Sequence, residues 1–332
     1  MTNKPLALVT GGAGFVGSHM VDLLLSRGYA VRVIDDFSTG SMENLAQHKN
    51  NGDLDVFQRD IRRLKPESRL FADVQYVFHV AGIGAIVPSI ENPAEYMSVN
   101  VQGTVRVLEC ARRAMVKKFV YAASSSCYGI TPAVLTSESR FASPQYPYAL
   151  SKYLGEQTTL HWHQVYGLPV NSMRIFNAYG RRARTTDAYG AVFGVFLRQK
   201  LAGQPLTIVG AGEQSRDFVH VTDVADAFLR AAETQRTGDI WNVGAGNPRT
   251  INYLAGLIGG LTVHVPERPG EPDATWADIS KAKRDLGWRP RIRFEDGVAE
   301  MLHHIEDWRD APLWTPESIE SATKPWFEAL AR

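Results

Sequence analysis

No apolar run in this 332-residue chain approaches the ~20 residues that a membrane-spanning helix needs, so a bilayer-crossing segment is not expected. Cysteine is nearly missing as well. Cys110 and Cys127 are the only two; they offer neither a disulfide framework nor metal-ligand spacing, and they suit a reducing compartment. Neither sign of charge is in excess: 36 Lys and Arg stand against 35 Asp and Glu, a net charge of +1. That balance implies no broad attraction to nucleic acid or to a membrane surface, so an anionic partner must be met by a local cluster of arginines. The opening MTNKPLALVTGG enters a strand pattern at once and leaves no room for a signal peptide. The expectation is a cytoplasmic, metal-free protein. One further absence is local. YAASSSCYG (121–129) runs a strand-like segment into Ser124, Ser125 and Ser126, at a position where α/β proteins often place carboxylates.

What is present is regular in the first half. LALVT (6–10), AVRVIDD (30–36), LDVFQRD (54–60), YVFHVAG (76–82) and KFVYAASS (118–125) read as strands. Their near-continuous hydrophobicity suggests strands covered on both faces, as in a parallel sheet. Helical patterns lie between them, as at 17–28 and 101–115. Alternating elements of this kind predict an α/β fold, a Rossmann-type doubly wound parallel sheet. PVNSMRIF (169–176) and DIWNVGAG (239–246) look like further strands of it. Residues 177–220 and 248–293 are rich in Gly, Pro and Arg and suggest a smaller lobe built from discontinuous segments. The expected division is a dinucleotide-binding domain over 1–176, with a strand returning near 239–246. Residues 177–238 and 247–332 are expected to supply mostly a substrate-binding α/β lobe and a C-terminal helical tail, aromatic-rich and used for core packing or a subunit contact.

TGGAGFVG sets Gly11, Gly14 and Gly17 between a strand and a helix that opens with Phe15 and Val16. Gly11 permits a tight turn, Gly14 lets the backbone approach a pyrophosphate, and Gly17 allows close helix–strand packing. The helix N-terminus offers N–H groups to the phosphates. The next strand ends in Asp35, whose carboxylate can hold both ribose hydroxyls of NAD and would repel the extra phosphate of NADP; Asp36 adds to that repulsion. Further on, YPYALSK carries Tyr148 and Lys152 four residues apart, on one helix face. A neighbouring ammonium and a positive nicotinamide are expected to lower the phenol's pKa from near ~10. Cys127 reads as a packing residue, with no base beside it. His161 and His163, two apart on a helix, point to different sides and do not make a metal site.

With TGGAGFVG, HVAG (79–82), VNVQGT (99–104), YAASSSCYG, YALSK, RIFNAYG (174–180) and RDFVHVTDVA (216–225) in place, the chain resembles the extended short-chain dehydrogenases/reductases that act as nucleotide-sugar epimerases and dehydratases, over nearly its full length. The resemblance implies that Asp60 and Ile61 flank the adenine, that Val80 and Ala81 line the NAD channel, and that Asn100 sits near the ring. It makes Ser124 the partner of the sugar O4, Tyr148 the acceptor of the 4-OH proton, and Lys152 the group that holds the nicotinamide ribose and tunes Tyr148. In the 4,6-dehydratases the two positions after Ser124 are Asp and Glu. Here they are Ser125 and Ser126, and a serine hydroxyl is not a usable acid or base near neutral pH without an activating partner.

The resemblance also places a nucleotide diphosphate on Arg216 and Arg268, the nucleotide ribose on Glu271, and the diphosphate or sugar on Asn177. Paired guanidiniums suit diphosphate geometry. Ala191, Val192, Thr207 and Ile208 fall where the family's base-binding backbone lies. Thr275 matches a gatekeeper that is small in enzymes accepting N-acetylhexosamines, and Gly84 replaces a lysine of glucose-type members. Against these, Arg181, Arg182 and Arg184 resemble the hexuronate epimerases, where an arginine near Arg184 pairs with a C6 carboxylate and small hydroxyls near Ser125 and Ser126 assist. The expected activity is NAD-dependent C4 epimerisation of a nucleoside-diphosphate sugar, UDP-linked, as an N-acetylhexosamine or a related hexose or hexuronate. A 4,6-dehydratase or 4-ketoreductase is the enzymatic alternative, and a non-catalytic NAD-binding protein the remote one. The resemblance further implies a homodimer.

Overall fold

The computed structural model describes residues 4–130, 135–183, 192–267 and 271–330. Seven strands form one parallel sheet in the order Asp239–Val243, Val170–Ile175, Lys118–Ser124, Tyr76–His79, Leu6–Thr10, Ala30–Asp35, Leu54–Gln58. The central strands are covered on both faces, which accounts for their unbroken apolar character: Lys118–Ser124 is buried at every position before its last. Neighbouring residues alternate between two cores. Val9, Phe78 and Val120 face one, together with the helix Val221–Glu233. Leu8, Val77 and Phe119 face the other, with the helix Thr104–Arg113. Chain order reverses between Leu6–Thr10 and Tyr76–His79. The crevice beyond the carboxyl ends of strands at such a switch point is where open α/β sheets take ligands.

A third core lies outside the sheet. Tyr179, Phe193, Phe196, Phe218, Leu254, Phe294, Met301 and Trp308 pack together, with Phe218 stacked on Phe294 at 5.1 Å and Tyr179 on Phe193 at 4.8 Å. Two short parallel pairs frame it, Leu206–Val209 with Thr262–Val265 and Asn177–Tyr179 with Phe218–His220. The chain crosses between lobe and sheet more than once, because Val221–Glu233 and Ser280–Leu286 return to the sheet's own core. The pattern at 101–115 begins differently from a plain α-helix. Ser98–Gly103 form a wider π turn before Thr104–Arg113, and Gly103 has no room for a side chain, since a Cβ there would lie 2.6 Å from Ile61 Cδ1. The tail ends in a helix, Pro316–Leu330, that packs on Ile86–Glu91. Among the described residues no helix is long and apolar enough to cross a membrane.

Candidate active site

The glycine turn closes on itself. Gly11 has φ +69°, and a Cβ on it would lie 2.8 Å from the Ala81 backbone; one on Gly17 would overlap the Gly11 carbonyl. Gly14 is different. Its Cβ position meets only Gly11 O, at 3.2 Å, among the described residues, so its outer side is open. The helix Phe15–Ser26 that follows has no side-chain cap and no acid in its first turn, and its orphan N–H groups suit a phosphate. Asp35, buried at the next strand end, accepts from the N–H of Ala13 and of Phe37, both at 2.9 Å. Each of its oxygens keeps a lone pair for a ribose hydroxyl. These features fit a dinucleotide. Asp36 is turned away into its own loop, accepting from the Ser38 N–H and hydroxyl. Asp60 caps a short turn and pairs with Arg62 at 2.8 Å, while Ile61 is buried beneath Gly103.

The other bank of the switch point is held by a relay that the sequence reading did not find. The Thr104 hydroxyl donates to Asn100 O at 2.7 Å, so it accepts from His79 Nε2–H at 2.9 Å. That leaves His79 Nδ1 to accept from the Thr10 hydroxyl, whose oxygen takes the Ala81 N–H. Burial depresses the His79 pKa to about 3, with Lys152 adding to the effect, so the ring is neutral and its tautomer is set by its partners. Val80 donates its N–H to Thr10 O. The Asn100 amide makes three hydrogen bonds: Oδ1 accepts from Ile83 N–H, and Nδ2 donates to Ile83 O and Ser151 Oγ. Asn100 therefore shapes the 82–85 loop.

Ser124 ends its strand and caps the turn Ser125–Tyr128. Its oxygen accepts from the Ser126 N–H at 3.2 Å and from the Ser126 hydroxyl at 2.8 Å. Its own proton is thereby free to be donated, and Ser124 acts on the Tyr148 phenol, opposing the rise of its pKa. The Ser126 hydroxyl is committed to Ser124. Cys127 is buried, and burial pushes its thiol up to about 12. Within the chain itself, burial raises the Tyr148 pKa, Ser124 opposes the rise and the Cys127 thiol adds to it. Lys152 lies under 5 Å from the face of Tyr121, 4.7 Å to the ring centroid, and a Cβ on Gly82 would lie 3.7 Å from its Nζ. Burial depresses its pKa to about 8, and Glu156, one turn on, opposes that. Glu156 is in turn clamped by Arg174 Nε and Nη2 at 2.9 and 2.6 Å, both side chains being buried. Arg174 also lies over the Tyr128 ring, so one ion pair supports both the lysine's helix and the serine turn. Glu156 sits on the same helix as Lys152, but Arg174 is distant in the chain and carried no local signal.

Beyond the sheet, Arg216 and Glu271 come together at 2.6 Å, and Arg216 also donates to the Ser215 and Pro272 carbonyls. A cavity of about 220 Å³ beside them is lined by Val209, Gly210, Gln214, Glu271 and Pro272. The Thr275 hydroxyl accepts from the Asp217 N–H and donates to Asn177 Oδ1 at 2.9 Å. It thus fixes the Asn177 amide through its oxygen, a role the gatekeeper reading did not foresee. Thr207 and Ile208 are buried in the lobe, where Gln199 Oε1 accepts from the Thr207 N–H and Gln199 Nε2 donates to the Thr207 hydroxyl. Val192 opens the helix Val192–Leu201 against the same core. Arg181 pairs with Asp307 and Arg182 with Asp22. Arg184, Ala191 and Arg268 lie outside the described residues.

A sheet end open to a pyrophosphate on one side of its switch point, with a serine and a phenol acting on each other at the other, suits hydride and proton exchange with a bound dinucleotide. It marks an enzyme of the extended short-chain dehydrogenase/reductase type. Comparison with known proteins gives the family. Residues 7–244 match the NAD-dependent epimerase/dehydratase family; the chain belongs to it, and its cofactor is NAD. A UDP-glucose 4-epimerase of Mycolicibacterium smegmatis is 35% identical, over 90% of this chain and 98% of its own length. Among solved structures, a UDP-N-acetylglucosamine 4-epimerase from Methanobrevibacter ruminantium, in complex with UDP-N-acetylmuramic acid, is 32% identical, with TM-score 0.85 over 91% of this chain and 98% of that one. A UDP-glucuronic acid 4-epimerase from Bacillus cereus, in complex with UDP-glucuronic acid and NAD, is 30% identical, with TM-score 0.84 over 91% and 99%.

Proposed function

We propose that the protein interconverts the C4 epimers of a UDP-linked sugar, with a neutral hexose or N-acetylhexosamine as substrate. NAD, held by the glycine turn, Asp35 and Lys152, supplies the acceptor and donor of the C4 hydride. Tyr148 takes the proton of the 4-hydroxyl, and Ser124, whose proton is free, steadies the oxygen through both halves of the reaction. Lys152 carries the positive charge of the site. Arg216, Glu271 and Asn177 hold the diphosphate and ribose end, so that the released 4-keto sugar can present its other face. The observation that carries this reading is the surroundings of Tyr148. Among the described residues, Ser124 and Cys127 are the groups that shift it beside burial, with no carboxylate, and the positions after Ser124 are serines. Loss of water from C5 and C6 needs an acid and a base there.

A hexuronate substrate is the second reading, favoured by the arginines after the strand Asn177–Tyr179. Two of those three are already paired with Asp307 and Asp22, which weighs toward a neutral sugar. So does the space at Gly84, where a Cβ would meet nothing within 4 Å among the described residues. The test is product analysis by mass spectrometry and sugar NMR after incubation with UDP-glucose, UDP-N-acetylglucosamine and UDP-glucuronate, with no added reductant. A 4-epimer at unchanged mass is expected. A product lighter by one water, or none from any of the three, overturns the reading. Tyr148→Phe should lower kcat by about a hundred- to ten-thousand-fold while the purified protein keeps its NAD.

A further inference from the structure

Tyr146 is the neighbour of Tyr148 that the chemistry above does not use. It precedes the helix Pro147–Tyr166 in extended backbone and makes no side-chain cap, so the helix itself does not require a phenol there. Its ring lies almost parallel to that of Tyr148, with centroids 6.4 Å and planes 10° apart. It also packs against Trp326, at 5.9 Å and 43°. Burial raises its hydroxyl's pKa, and the charged groups that act on it are Glu271 and Arg216. Its ring and that of Trp326 thus extend an aromatic surface beside the phenol that handles the proton.

We propose that Tyr146, backed by Trp326, is a wall of the sugar pocket and a specificity-determining side chain for the hexose ring. The inference rests on the epimerase reading. A sugar whose C4 sits at Tyr148 meets this ring, whose centroid lies 6.4 Å from that of Tyr148. Tyrosine and tryptophan present large, rigid apolar faces that lose little freedom on contact, and the C–H face of a pyranose is a matching surface. The second half of the wall comes from the chain's end. The helix Pro316–Leu330 docks on Ile86–Glu91, just after Gly84, and buries Ile319, Thr323 and Trp326 on one face. It lies beyond the segment 7–244 that matches the family, so no family motif points to it. The tail helix is thus part of the pocket.

The test is calorimetric binding of UDP-N-acetylglucosamine and of UDP alone to the NAD-loaded protein, with NAD content and Tm recorded for each variant. Tyr146→Ala is expected to weaken the UDP-sugar about fivefold or more while UDP affinity stays within about twofold. Tyr146→Phe, which keeps the ring, should match the wild type, and Trp326→Ala should shift the UDP-sugar in the same direction as Tyr146→Ala. Equal UDP-sugar affinity in wild type and Tyr146→Ala overturns the wall, as does an equal loss for UDP and UDP-sugar. A Trp326→Ala protein with lower Tm but unchanged UDP-sugar affinity removes the tail helix from the pocket. A wild type that binds neither ligand overturns the epimerase reading itself, a result distinct from all of these.

Discussion

Lys152 carries two opposite pH dependences. Burial holds its ammonium at about 8 instead of 10.5, with Glu156 opposing the shift. As pH rises through about 8 the side chain loses the charge proposed to hold the nicotinamide ribose. NAD remaining on the protein after gel filtration should therefore fall between pH 7 and pH 9, and Lys152→Met should show low retention without that slope. A wild type that retains NAD equally at both values would contradict the role. Stability moves the other way. Between pH 8 and 10.5 the unfolded chain binds this proton and the folded chain does not, so the lysine's contribution to unfolding free energy rises with pH across that window and is lost as pH falls through 8. The difference in denaturant unfolding between wild type and Lys152→Met isolates it. At this scale the sequence was legible where spacing is local: Ser124, Tyr148 and Lys152 each sit in a short motif. The burial of Tyr148 was not, because burial follows from packing by distant segments. Nor was the His79 relay, whose partners Thr10 and Thr104 stand 69 and 25 residues away.

The strand–turn–helix at residues 6–26 was legible as an element because each glycine has a separate geometric task. Gly17→Ala places a methyl group into the Gly11 carbonyl; the helix must move off the strand, and both Tm and NAD content should drop. Gly14→Ala meets only one atom, at 3.2 Å, among the described residues, and its backbone, φ −82° and ψ −175°, is one alanine adopts. That variant should keep its Tm in the NAD-free state but bind NAD more weakly, because the methyl group stands where a phosphate must approach. Thermal unfolding and NAD titration on the pair separate the two tasks, and a Gly14→Ala protein with full NAD affinity would show that the pyrophosphate does not pass there. The π turn Ser98–Gly103 was not legible. It follows from Ile61 packed under Gly103 and from Asn100 bonding the 82–85 loop, contacts that apolar periodicity does not encode.

At the scale of the whole molecule, the sheet could be read strand by strand because parallel strands covered on both faces announce themselves as apolar runs. The lobe could not, because its core joins Phe193, Phe218 and Phe294 through elements too short to carry a period. What joins lobe to sheet is Asp217, fully buried between Arg216 and the strand Phe218–His220. Its carboxylate accepts from the N–H groups of Ala245 and Gly246, just past the last sheet strand, and of Ala277, two residues after Thr275. Burial raises its pKa to about 6 from 3.8, against the pull of those three donors. The folded protein therefore keeps this proton where the unfolded chain has lost it, so Asp217's contribution to stability is fullest below pH 3.8 and declines as pH rises through 6. Asp217→Asn removes the titration. The wild type's stability relative to that variant should thus shrink by about 1 kcal/mol, the worth of a pKa unit, between pH 5 and pH 7, and stay level above. Denaturant unfolding of both proteins across that range measures it; a difference independent of pH would mean that Asp217 is ionised throughout. Because the same carboxylate fixes the segments bearing Arg216 and Thr275, Asp217→Asn should also raise KM for the UDP-sugar more than it lowers kcat, coupling the lobe's attachment to the grip on substrate.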